Sequence, residues 1–122
     1  MTNSHSICDL NLLPELERQT DNDVRWSAAA TLTDYAMYLP DHVWPIILKH
    51  GSSSDEDLRT AVATCLLEHL LEYHFEAYFS KLEKVILDSN NNLKDTLSLC
   101  WKLGKSELPE NSARWEPLIQ SN

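Results

Sequence analysis

Apolar residues recur along this chain at helical spacing, and no segment alternates apolar and polar positions as a strand does. Leu58, Val62, Leu66 and Leu70, flanked by Ala63, Leu67 and Leu71, form one broad stripe, of the width a helix turns toward a core. Val24, Ala28, Ala29 and Leu32 form an earlier stripe, and Leu93, Leu97, Cys100 and Trp101 a later one. A second set of apolar segments precedes each of these: residues 7–16 around Pro14, residues 41–50 closed by Gly51, and residues 75–87. Pro40 and Pro45 suit a helix start and its first turns, not a strand. Trp44 and Trp101 lie within apolar stripes, which places both in the core. The pattern predicts an all-α chain.

The stripes also repeat. Thr20-Asp21-Asn22-Asp23-Val24-Arg25 aligns with Ser54-Asp55-Glu56-Asp57-Leu58-Arg59 at an offset of 34, and the match runs on through Ala29 with Ala63 and Leu32 with Leu66. A weaker third copy starts at Ser89, 35 residues further on. Each copy opens like a helix N-terminus. Thr20 and Ser54 are placed to cap, and Asp23 and Asp57 to close a capping box three residues later; Ser89 with Asn92 is a degraded version. Self-similarity at this period marks stacked supersecondary units. The reading is three helical hairpins over residues 7–38, 41–73 and 75–104, laid side by side. The tail at 107–119, with Trp115, Leu118 and Ile119, forms a short cap. A length of 122 residues suits one domain, 1–122, and a core that needs no metal or disulfide.

A period of 34 also belongs to tetratricopeptide repeats, but their Trp, Leu-Gly and Tyr signature is missing from the first helices. The second helices read Asp-Val-Arg-Trp-Ser-Ala-Ala-Ala-Thr-Leu from position 23 and Asp-Leu-Arg-Thr-Ala-Val-Ala-Thr-Cys-Leu from position 57. An aliphatic residue and arginine, then small residues, then leucine resembles the second helix of a HEAT repeat, over roughly residues 7–104. The resemblance implies a right-handed α-α superhelix, an α-solenoid whose second helices line a concave face that binds another macromolecule. In that family an aspartate ahead of the arginine joins a ladder across repeats. Here Asp21 and Asp55 stand four residues before Arg25 and Arg59, closer than the family's usual gap, and Lys94 replaces the third arginine.

Charge narrows the partners. Ten Lys and Arg against nineteen Asp and Glu give a formal charge of −9, which disfavours phosphate backbones, so no nucleic acid is expected. The acid excess is concentrated before residue 81, and residues 81–122 are balanced. No apolar run approaches the roughly 18 residues of a membrane span, and the N-terminus lacks the basic-then-apolar order of a signal peptide. A cytoplasmic protein is expected. Cys8, Cys65 and Cys100 have no metal or redox spacing and read as small buried hydrophobes in a reducing compartment. Two glycines cannot build a phosphate-cradling loop.

On the second hairpin, Asp57, Ala61, Thr64, Glu68 and Glu72 share one helical face; on the first, Asp23, Ser27, Ala30, Asp34 and Tyr38 do. Side by side, these faces set Asp34 beside Glu68 and Tyr38 beside Glu72. That is a negative, partly aromatic groove able to steer a basic partner, or an ordinary solvated face. Trp26, one step off the apolar stripe, is a candidate anchor. His69 and His74 diverge by about 140° on a helix and make no zinc pair. Asp34 with Glu68 is the only cross-repeat carboxylate pair, and no nucleophile or oxyanion loop accompanies it. No metal, cofactor or catalytic residue is expected. The expected function is a non-enzymatic module, monomeric or weakly dimeric, binding a protein with a basic surface through Asp34, Tyr38, Asp57, Glu68, Glu72 and Trp26. By analogy with small acidic helical bacterial proteins, an immunity protein neutralising a cationic toxin is an alternative. A nucleic-acid-binding or small lyase-like HEAT protein is a further one, disfavoured by the missing basic groove and by only three hairpins.

Overall fold

The computed structural model describes residues 22–88 and 92–120, and all regular structure among them is helical, with no strand. Helix α1 spans Asn22–Tyr38, α2 Pro40–His50 and α3 Glu56–Val62. The chain continues from α3 through a π-helical turn, Ala63–Leu67, directly into α4, Glu68–Asp88. Then follow α5 (Leu93–Ser98), a 3₁₀ turn (Gly104–Glu107) and α6 (Pro109–Gln120). The expected leading helix at residues 7–16, the cap at Thr20, the acid at Asp21, and Cys8 and Ser89 lie outside the described residues.

Local chemistry sets the boundaries. Pro40 stands at the first position of α2, where its missing N–H costs nothing. Asp55, not Ser54, caps α3: its Oδ1 accepts the backbone N–H groups of Asp57 (3.1 Å) and Leu58 (3.2 Å). The capping site is thus one residue later than the sequence pattern placed it, because an aspartate reaches the first-turn amides and adds a negative charge to the positive helix end. Within the π turn the N–H of Glu68 bonds Ala63 O, a five-residue step. Such a turn amounts to one extra residue in the helix, and it rotates everything beyond it by about 100°. At His74 the helix kinks (φ −130°, ψ 40°), and the imidazole Nε2 bonds Met37 O at 2.7 Å, near the C-terminal end of α1.

The core forms one cluster. Ala28, Ala29 and Leu32 of α1 join Leu58, Leu66 and Leu70 of the long central helix, Ile47 of α2, and Leu93 and Leu97 of α5. Ala28 and Ala29 are small enough to bring α1 close to the helix that carries the π turn, and α1 packs on α2, α3, the π turn and α4. Beyond the kink the packing turns aromatic. Phe75 stacks on Phe79 with centroids 4.5 Å apart, and Phe79 meets Trp115 of α6 at 6.2 Å. Buried Tyr78 donates to Asp41 and touches Trp44; burial, with the Asp41 carboxylate, pushes its hydroxyl pKa up to about 12.

Trp101 is not in the core: it is 73% exposed. Helix α5 stops at Ser98, and Leu99 is also exposed. The chain then crosses α4, where the Trp101 N–H bonds the Glu68 carboxylate and the Cys100 thiol bonds Ala63 O. These two anchors fix the backbone there and leave the indole outside. Gly104, at φ +51°, starts the 3₁₀ turn, and a Cβ there would come within 2.9 Å of Glu72 O, so this loop lies tight on α4.

Leu66 is fully buried. Leu66→Ala should cost about 2–5 kcal/mol of unfolding free energy as a large-to-small core change. Chemical denaturation checks this, and a loss below about 0.5 kcal/mol would place Leu66 outside the core.

Candidate functional site

Arg25 is 1% exposed. Its Nη2 bonds Asp55 Oδ2 at 3.0 Å and its Nη1 bonds Asp57 Oδ2 at 2.9 Å. Asp55 therefore caps α3 with one oxygen and grips α1 with the other. Burial alone would raise the Asp55 pKa; the Arg25 bond and charge, with the Leu58 and Asp57 amides, outweigh it and hold it below its ordinary value. Asp57 is equally committed, since its Oδ1 accepts the Trp26 indole N–H at 3.1 Å. Two expected binding residues, Asp57 and Trp26, thus bond one another between helices, and Asp57 holds Arg25 as well.

The expected acidic stripe is divided. Glu68 is only 7% exposed; its carboxylate accepts the Trp101 N–H at 2.7 Å and stands 3.8 Å from His69. Glu72 is half-buried, bonded to His69 Nδ1 at 2.8 Å, with Gly104 against its backbone. The uniform helical spacing that aligned Asp57 with Glu68 is broken by the π turn between them, and the loop after α5 covers Glu68. Asp34 is exposed and Glu68 is buried, so no open carboxylate pair forms.

What remains open is the C-terminal end of α1. Tyr38 is 72% exposed. Asp34, Tyr35, Tyr38 and Leu39 line a cavity of about 250 Å³. Exposed Tyr73 belongs to the same neighbourhood: loss of hydration, the Glu72 carboxylate and Tyr38 together push its hydroxyl pKa up. Asp34, Tyr38 and Glu72 are thus the expected site residues that meet an open aromatic surface. Tyr35, Leu39 and Tyr73 were not anticipated. The Tyr35–Tyr38 and Asp34–Tyr38 spacings on one helix could have suggested the first, but Tyr73 stands on α4, and no spacing along α1 points to it.

Burial pushes both described thiols up, Cys65 moderately and Cys100 well up, with the Glu68 charge adding to each; both are protonated at neutral pH. Among the described residues no three His, Cys, Asp or Glu side chains gather as a metal site would require, and no helix is long and apolar enough to cross a membrane.

The Arg25 arrangement has a counterpart without acids. Arg59, one repeat later, is 9% exposed; its Nη1 bonds Ser53 O at 2.8 Å, and its Nε has no hydrogen-bond partner. Removing one member of a buried ion pair is costly, whereas replacing an uncompensated buried charge by an apolar side chain is often neutral. Arg25→Met should cost about 3 kcal/mol and Arg59→Met less than about 1 kcal/mol, measured by urea denaturation. Because the Asp55 pKa is depressed in the fold, its contribution is present above the unfolded carboxylate value and is lost as the pH falls below about 4. Arg25→Met should flatten that acid limb, and an unchanged limb would remove Arg25 from it. A comparison with protein-family models, curated proteins and solved structures finds no match to this chain.

Proposed function

We propose that this chain is a non-enzymatic protein-binding module of HEAT-like stacked hairpins, using the end of α1 to receive a basic protein partner. The observation that carries this reading is the cavity walled by Asp34, Tyr35, Tyr38 and Leu39, with Tyr73 and Glu72 beside it. No lysine or arginine is among these residues. Aromatic faces with a carboxylate at the edge suit the apolar stem and charged head of a Lys or Arg side chain. Tyrosine also loses little side-chain freedom on contact, which is why it is common among the strongest interface residues. The −9 charge of the chain adds long-range attraction for such a partner, acting mainly on association rate. The stacked-hairpin part of the reading draws support from Arg25 joining one 34-residue copy to Asp55 and Asp57 of the next.

The test is calorimetric titration of the intact chain with a peptide alternating arginine and leucine. Asp34→Lys combined with Tyr38→Ala should weaken binding at least about tenfold, the loss typical of truncating a strong interface residue. Glu110→Lys, an equal charge change on α6, should leave affinity within about twofold. Equal losses in both variants would reduce the effect to net charge and end the proposal of a located site.

A further inference from the structure

A second cavity, of about 290 Å³, lies beside Arg59 and is lined by Glu56, Arg59, Thr60, Asp95, Ser98 and Leu99. It sits between the start of α3 and helix α5. Arg59 is nine-tenths buried, bonds one backbone carbonyl, and holds an Nε–H with no partner. Its repeat counterpart Arg25 holds two carboxylates. The difference is written in the sequence: 35 residues beyond Asp55 and Asp57, where the third copy aligns, stand Asn90 and Asn92, which are neutral. A guanidinium withdrawn from water with no carboxylate in ion-pair contact is a standing electrostatic cost, and a planar fork of donors is matched best by a carboxylate.

The remaining charged groups on the wall decide what kind of carboxylate. Glu56 and Asp95 are both exposed acids, so a plain anion meets repulsion at the rim, while a ligand that carries its own cation meets attraction there. Thr60 and Ser98 add hydroxyls at the same wall, although each also bonds a backbone carbonyl, Glu56 O and Asp95 O respectively. The volume is near the lower end of small-molecule sites, which suits a ligand of amino-acid size. We propose that this cavity is a binding site for a small zwitterion of the amino-acid class, its carboxylate on Arg59 and its ammonium toward Glu56 and Asp95. The site is separate from the Tyr38 surface, and neither depends on the other.

The test follows the Arg59 Nε–H resonance by nitrogen-edited NMR on the intact chain, titrated separately with alanine, acetate and methylamine. Alanine should give a saturable shift of that resonance and of the Ser98 amide; acetate and methylamine should each bind at least about tenfold more weakly, since each lacks one charged contact. Asp95→Asn, a conservative change at an exposed position, should weaken alanine several-fold. Arg59→Lys, which keeps the charge and loses the fork, should weaken it at least about tenfold. A saturable shift of the Ser98 amide that survives Arg59→Lys would overturn the proposal. So would acetate binding as well as alanine, or no saturable shift with any of the three.

Discussion

A single guanidinium, Arg25, ties α1 to the start of the central helix. It is the most deeply buried charge described, and it reaches Asp55 and Asp57 together. The two aspartates stay partly in water, while Arg25 itself is sheltered and its bonds are strengthened by the low dielectric around it. Asp55 does two jobs with two oxygens: one ends the search for a cap on α3, the other fixes the angle at which α1 arrives. The apolar contacts of Ala28, Ala29 and Leu32 with the Leu66 and Leu70 face follow from that placement, since small residues allow close approach only where the helices are already in register.

The acidic side chains show how little formal charge says about availability. Glu68 is surrounded by the helix it sits on and by a loop that borrows its oxygen; Asp57 serves Arg25 and Trp26. Asp34 and Tyr38, by contrast, lie where α1 runs out, and nothing among the described residues covers them. The open surface of the molecule is therefore set by where helices stop: α1 at Tyr38, α5 at Ser98.

Helical character was legible because apolar residues fall at steps of three and four, and two ends were legible in Pro40 and Gly51, while the cap of α3 was expected at Ser54 and falls on Asp55. The three parts that were not have physical reasons. The π turn over Ala63–Leu67 uses residues that an ordinary α-helix accepts equally well, so no residue type announces it. Trp101 looked like core because an indole in an apolar stripe normally is; the stripe, however, assumed a helix that ends three residues earlier. Glu68 looked exposed because it is charged; one backbone N–H from a distant loop, aimed at its carboxylate, was enough to keep it inside. Of the six expected site residues, Asp34 and Tyr38 lie exposed toward the end of α1, whereas the fate of Asp57 and Glu68 depended on partners 30 or more residues away in sequence.

The third copy of the repeat, with asparagine where the second has aspartate, meets its neighbour in a different manner. Asn92 Nδ2 donates to the carbonyls of Ser52 and Ser53, and the Thr96 hydroxyl to that of Gly51. These are uncharged contacts to main chain. Among the described residues, the junction of α1 with α3 is therefore held by charge, while α5 is tied to the loop before α3 by neutral hydrogen bonds, so acid that protonates Asp55 loosens the first junction without touching those neutral bonds.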